Sequence, residues 1–265
     1  MSDTHPLQRQ ETILRLLAQQ GQASVRVLAE ALAVSEWTIR RDLIDLENRR
    51  LLTRQRGGAV ILHADEAEVL TRHGSLSQSA RENRAGKRRI GELAASLVRE
   101  GQSIALGAGS TTTQVARSLK HLGRPARVMT NALNIAIELA NQPHLQVICT
   151  GGIVHGGYFT LSGPQALLAL REQVYDVAII GVSGITLREG LTVGSQKNTD
   201  VLAVMMDQAR ETWLVADSSR IGQVRFARLA PLARVQKWIT DQMPPAEYRD
   251  YCAASGVELR VAGIY

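Results

Sequence analysis

The feature that most constrains this chain is a change of hydrophobic period near residue 60. Before it, apolar residues recur at the spacing of short amphipathic helices. From Ser103 onward, short apolar runs alternate with helical stretches, the pattern of a largely parallel α/β sheet with both faces covered. Two patterns this different predict two separately packed domains, and 265 residues with 45% hydrophobic content supply enough apolar material for both cores.

In the first part, "ETILRLLAQQG" puts Ile13, Leu16 and Leu17 on one face and stops at Gly21. Ser24 then offers an N-cap to "VRVLAEALAV", and after a short turn Ser35 offers a second, with Glu36 at the positive end of the helix it opens. On a wheel of about 100° per residue, Ile39, Leu43 and Leu46 of "VSEWTIRRDLIDLE" share a narrow arc. Trp37, Arg41 and Ile44 lie opposite, with Arg40 flanking. A free face carrying Trp and Arg near the start of a third helix is how a helix-turn-helix presents side chains to base edges; a solvated basic face is the alternative reading. The following "LLTRQRGGAVIL" is two extended runs around a tight hairpin, with Gly57 and Gly58 able to take positive φ and Arg54 and Arg56 flanking the tip. A basic hairpin beside a reading helix is the wing of a winged helix, placed for phosphate or minor groove. Together these place a DNA-binding domain at residues 1–61.

The formal charge of +6 and a pI near 9.7 permit nucleic-acid or phosphate partners without demanding them. Only Cys149 and Cys252 are present, far apart, so neither a disulfide framework nor a cysteine zinc site is indicated, and a reducing cytoplasm fits. A polar N-terminus and the lack of any long apolar run disfavour export and membrane spanning.

Residues 62–84 mix charges and small polar residues without a period and read as a linker, with an α/β domain at 85–265. In its first helix, "AGKRRIGELAASLVREG", the basic cluster Lys87, Arg88 and Arg89 reads as solvated surface. Ligands in such sheets sit beyond the carboxyl ends of strands. At one such end, "GAGSTTT" combines backbone freedom at Gly107 and Gly109 with hydroxyls and amides at Ser110, Thr111 and Thr112, a cradle for phosphate or an ordinary capped turn. Thr130 and Asn131, Gly151 and Gly152, Ser162 and Gly163, and Ser183 and Gly184 fall at similar ends, and their convergence favours a small-molecule pocket. Asp217 after "WLVA" is the best-placed acid, yet no catalytic set accompanies it. The histidines show no metal-ligand spacing, with His63, His73 and His155 read as loop residues; no metal, cofactor or catalytic residue is assigned.

"VSEWTIRRDLIDLE" followed by "RGGA" resembles the N-terminal domain of the DeoR family of bacterial transcriptional regulators, and "MTNALNIA", "TGGIV", "LSGP", "DVAIIGVSGI", "GLT" and "VADSSRIG" resemble its sensor domain. The resemblance implies that Ser35, Thr38, Arg40 and Arg41 approach DNA from the reading helix, with Arg56, Gly57 and Gly58 in the wing and Trp37 at a variable position. It implies a Rossmann-like sensor, related in fold to the ribose-phosphate isomerase and glucosamine-phosphate isomerase group, that senses a phosphorylated sugar or related intermediate. The chain departs from the family where an acidic residue is common at Gly107, and where acidic and Lys-Arg positions appear as Lys197, Leu202 and Ala203. Lys197 stands as a substitute phosphate charge or an exposed lysine. The expectation is a homo-oligomeric regulator, a repressor of a carbohydrate-catabolism operon that binds double-stranded operator DNA and is released by a phosphorylated metabolite. The alternatives are an isomerase-like enzyme and a DNA-binding protein with a vestigial sensor.

Overall fold

The structure, a computed structural model, describes residues 6–20, 22–48, 51–55, 57–61 and 76–263. The chain divides into two compact units, Met1–Ser75 and Leu76–Tyr265.

The first unit runs α1 (Pro6–Gln20), β1 (Gln22–Ser24), α2 (Val25–Leu32), α3 (Glu36–Asn48), β2 (Leu52–Gln55) and β3 (Gly58–Ile61). Its core is the predicted stripe: Ile13 and Leu17 of α1, Leu28 of α2, and Ile39, Leu43 and Leu46 of α3, all but fully buried with Leu52 and Ala59 of the hairpin. Ser24 caps α2 by accepting from the Val27 amide at 3.2 Å, and α2 ends at Ala33 in the left-handed region (φ 52). That residue turns the chain sharply into α3. The three strands form one antiparallel sheet in the order β1-β3-β2. β1 was not anticipated, and it changes the role of one glycine. Gly57 takes the expected positive φ of +84, whereas Gly58 lies in β3, where a Cβ would stand 2.4 Å from the Ala23 carbonyl oxygen. Gly58 is therefore there for close strand approach.

The second unit opens with α4 (Leu76–Arg81) and α5 (Arg84–Ser96). Residues 62–75 of the expected linker lie outside the described residues. The remainder, 76–84, is this helix and its turn, so the unit starts ahead of the expected residue 85. There follow β4 (Ser103–Leu106), α6 (Ser110–Leu122), β5 (Ala126–Thr130), α7 (Leu133–Leu139), β6 (Leu145–Cys149), the hairpin β7 (Ile153–His155) and β8 (Thr160–Ser162), and α8 (Pro164–Arg171). The rest is β9 (Tyr175–Ile180), β10 (Gly184–Thr186), β11 (Gly190–Val193), α9 (Gln196–Asp207), β12 (Ala209–Val215), β13 (Ala227–Ala230), β14 (Lys237–Thr240), α10 (Ala246–Ser255) and β15 (Glu258–Val261).

Seven strands make a sheet in the order β15-β14-β12-β9-β4-β5-β6, with every pairing parallel. Both faces are covered, which is why the strands read as continuous apolar runs. Ile104, Leu106, Val128, Val177 and Ile179 pack with α5, α6 and α7. Ala105, Met129, Ala178, Ile180 and Leu214 pack on the other face with Val201, Leu202 and Met205 of α9. The chain leaves β4 outward through β5 and β6, then returns to lay β9 on β4's other side. That reversal makes the carboxyl ends of β4 and β9 a topological switch point, where open α/β sheets leave a crevice for ligands. Among the described residues no helix is long and apolar enough to cross a membrane.

Candidate functional site

On α3 the two faces separate as the wheel predicts. Ile39, Leu43 and Leu46 are buried, while Trp37 is 68% exposed and Ile44, Arg40 and Arg41 are exposed. The Ser35 hydroxyl accepts from the Thr38 amide at 3.1 Å and lies 2.8 Å from the Thr38 hydroxyl, fixing the helix start. Arg41 sits over the Trp37 ring, 5.9 Å from its centroid, so the two form a flat cationic surface one helical turn long. Arg40 donates to Glu36 at 3.0 Å, four residues back on an exposed face. Such a pair is worth only a few tenths of a kcal/mol and yields readily to a phosphate.

Two contacts that the sequence reading missed hold this surface in place. Asp42 is buried and accepts from Arg9 Nε at 2.5 Å and Nη2 at 3.1 Å, and from Gln10 at 3.3 Å, tying α3 to α1. Glu47 accepts from the Arg54 backbone N–H at 2.9 Å and its Nε at 2.5 Å. The backbone donation first, and the guanidinium second, hold the Glu47 carboxyl below the usual range. Arg54, expected to flank the wing tip, also pins β2 to α3 through its guanidinium, and nearly half of its side chain stays exposed. Arg56 lies outside the described residues. Gly57 is exposed at the turn.

In the second unit the predicted loops meet at the switch point. The Gly107 amide donates to the Ile179 carbonyl at 3.0 Å, and Gly181 lies beside the Thr112 methyl. Gly109, at φ +151, is the N-cap of α6 and has no side chain to cap it, so the first-turn amides of α6 are left without intrahelical acceptors. Thr112 and Thr113 donate their hydroxyls back to the Gly109 carbonyl at 3.0 and 2.7 Å, which fixes the loop. Asn131, 1% exposed, accepts from the Ala108 amide at 3.0 Å and donates to the Leu161 carbonyl at 3.2 Å. It joins the ends of β4 and β5 to the hairpin, while the Thr130 hydroxyl accepts from the Ala132 amide. Ser110, Thr111 and Thr112 are themselves buried.

Some of the other predicted residues are closely packed and some are not. A Cβ at Gly152 would meet the Ser162 carbonyl at 2.4 Å, and one at Gly184 the Gln223 carbonyl at 2.2 Å. Gly151 is exposed and Ser183 half-buried. At Gly107 a Cβ would stand 2.9 Å from Leu202 Cδ2, so two of the four departures from the family pattern face one another in the core. Lys197 is exposed on the first turn of α9. His155, expected in a loop, lies in β7 with its Nε2 2.7 Å from the Ser162 hydroxyl; burial, then the charge of Lys197, push its pKa down.

Lys87 overturns its expected place on the surface: it is 1% exposed. Its ammonium donates to the Ser79 and Glu82 carbonyls at 2.7 Å each and lies 3.4 Å from the Asp217 carboxylate. Burial lowers its pKa, and Asp217 opposes that shift. Burial likewise pushes Asp217 up, but the Ser219 hydroxyl, Lys87 and Arg220 outweigh it and hold the carboxyl below its ordinary range.

Comparison with known proteins agrees with both units. The family model of the DeoR-like helix-turn-helix domain matches residues 9–65, and that of the DeoR C terminal sensor domain matches residues 82–242. The HTH-type transcriptional regulator GlpR of Haloferax volcanii is 32% identical over 95% of this chain and 96% of its own. The HTH-type transcriptional repressor GlcR of Bacillus subtilis is 32% identical over 96% of this chain and 95% of its own. The L-fucose operon activator of Haemophilus influenzae is 31% identical over 92% and 95%. Among solved structures, ribose 5-phosphate isomerase A of Methanocaldococcus jannaschii aligns with 53% of this chain and 55% of its own at 20% identity, with a TM-score of 0.40.

Proposed function

This chain belongs to the DeoR family of transcriptional regulators, and from that premise we propose that its first unit reads operator DNA through α3 while its second unit sets the affinity by binding a phosphorylated carbohydrate metabolite. The observation that carries the reading is the split face of α3: Ile39, Leu43 and Leu46 are locked into the core, and Trp37, Arg40 and Arg41 stand clear of it. A helix held on one side and armed with arginines on the other suits insertion into a major groove. Ser35 and Thr38 at its start, with Gly57 at the turn of the wing, complete the proposed contact set.

The switch-point loop with uncapped α6 amides suits an anion, and regulators of sugar operons among the relatives support a carbohydrate effector. Binding without turnover is the simpler reading, because Asp217 is fully buried and held by Ser219 and Lys87 instead of being offered to a substrate. We take the regulator to be a cytoplasmic homo-oligomer that represses, since two linked reading heads bind a paired operator through high effective concentration.

The test is operator binding by fluorescence anisotropy across a salt series. Arg41→Ala is expected to lose at least about 1 kcal/mol of operator affinity, roughly fivefold or more, with its circular dichroism spectrum unchanged. An intact variant that binds operator as the parent does would remove α3 from the interface.

A further inference from the structure

The buried state of the α6 cradle raises a question of access, and the element that answers it is α4. Three ties fasten residues 79–87 across the carboxyl edge of the sheet, and a fourth, made by Lys87, holds the segment together. The Ser79 hydroxyl lies 2.9 Å from the Ser110 hydroxyl, at the head of the cradle. Lys87 gathers the Ser79 and Glu82 carbonyls. Glu82 pairs with Arg220 at 3.2 Å, and Asn83 donates to Asp241 at 2.7 Å, whose other oxygen accepts from the Ser218 amide. Three of these engage charged groups; the Ser79–Ser110 contact is neutral and is the one that touches the cradle. Asn83 itself holds a left-handed φ of 46, a joint between α4 and α5.

We infer that α4 is a strap that closes the cradle in the effector-free protein, and that an effector oxygen opens it by taking the Ser110 hydroxyl from Ser79. The inference rests on the reading of the α6 loop as the effector site. A hydroxyl donating to an anionic oxygen makes a bond about twice as strong as a neutral hydroxyl pair, so at the Ser110 hydroxyl the exchange favours the ligand. Opening also releases the Ser79 carbonyl from Lys87, which keeps the Glu82 carbonyl and Asp217 through the change and leaves Asn83 as the pivot. Because α4 is where the chain enters this unit, its two positions supply the discrete two-state element that effector control of DNA affinity requires.

The experiment is hydrogen exchange on the full chain with and without inorganic phosphate, the smallest anion offering the needed oxygens. Phosphate is expected to slow exchange at residues 109–113 and to speed it at residues 76–83. Slower exchange at 109–113 with no change or slower exchange at 76–83 overturns the strap and leaves the cradle standing. No change at either segment overturns the cradle and the strap together. In parallel, Ser79→Ala removes the competing hydroxyl without burdening the helix. It is expected to bind phosphate about two- to tenfold more tightly, the worth of one neutral hydrogen bond, and to exchange faster at 76–83 before phosphate is added. A parent-like affinity in Ser79→Ala overturns the strap.

Discussion

Asp42→Ala should unfold the DNA-binding unit at a temperature where the sensor stands untouched. The Asp42 carboxylate is 4% exposed and receives two bonds from Arg9, whose side chain is 9% exposed, and a third from Gln10. Deleting one member of a buried ion pair costs about 3–5 kcal/mol, because the remaining charge stays in a poorly solvated place; we take about 3. At roughly 0.05–0.15 kcal/mol per residue, a unit spanning Met1–Ser75 holds about 4–11 kcal/mol, so the loss is a large share of its stability. For a domain of this size each kcal/mol moves the midpoint by about 4–8 °C, which predicts a fall of about 12–24 °C. Scanning calorimetry on the full chain reads this directly: each unit has its own core, so the first transition should drop while the second keeps its place. Asp42→Asn retains an acceptor for Arg9 and should fall between. A first transition in Asp42→Ala within about 2 °C of the parent would refute the reasoning, and with it the claim that α1 and α3 are fixed by this pair.

Two further outcomes follow from the geometry. Gly58→Ala forces a Cβ onto the Ala23 carbonyl and should cost about 1–3 kcal/mol while loosening β1, seen as faster amide exchange at Gln22–Ser24. Gly57→Ala meets open space and carries only the cost of a left-handed φ, so exchange in β1 should stay as in the parent; equal loosening in both variants would defeat the distinction. Asp176 has a folded pKa held below 3.8 by the Ser103 backbone N–H and then by its hydroxyl, so it contributes stability above that value and loses it as pH falls through the lowered one. The midpoint of the sensor transition should therefore fall below about pH 4, and fall less steeply in Asp176→Asn. An unchanged slope would remove Asp176 from the acid response.

The exposed face of α3 was legible because it depends on period alone. A core arc of Ile39, Leu43 and Leu46 leaves only one direction for Trp37, Arg40 and Arg41. Asp42 was harder to see: it falls at the margin of that arc, about 60° from Ile39 on the wheel, where a short acid can turn either way. Its burial depends on Arg9 and Gln10 arriving from another helix. Gly58 was misread for a related reason. Its neighbour β1 is three residues long, too short to show an alternation, and without β1 the glycine pair has only the hairpin turn to explain it.

The sensor edge was legible as a place and not as a mechanism. Strand ends rich in Gly, Ser, Thr and Asn mark the switch point whatever the tertiary detail, yet whether a residue there meets ligand or backbone is decided by contacts distant in the chain, as when Asn131 engages both Ala108 and Leu161. Lys87 carries two conflicting signals. Its place in "GKRR" argued for a solvated cluster, but with Ile90, Gly91 and Ala94 it completes an i, i+3, i+4, i+7 stripe, and that stripe is the buried face of α5. A lysine at such a position is retained only if fixed acceptors surround its ammonium, because an unpaired buried charge is too costly. The stripe therefore implied acceptors close by in space. Those acceptors are the carbonyls of Ser79 in α4 and Glu82 in the turn after it, with the Asp217 carboxylate just beyond β12, contacts that hold the segment before α5 at the sheet edge.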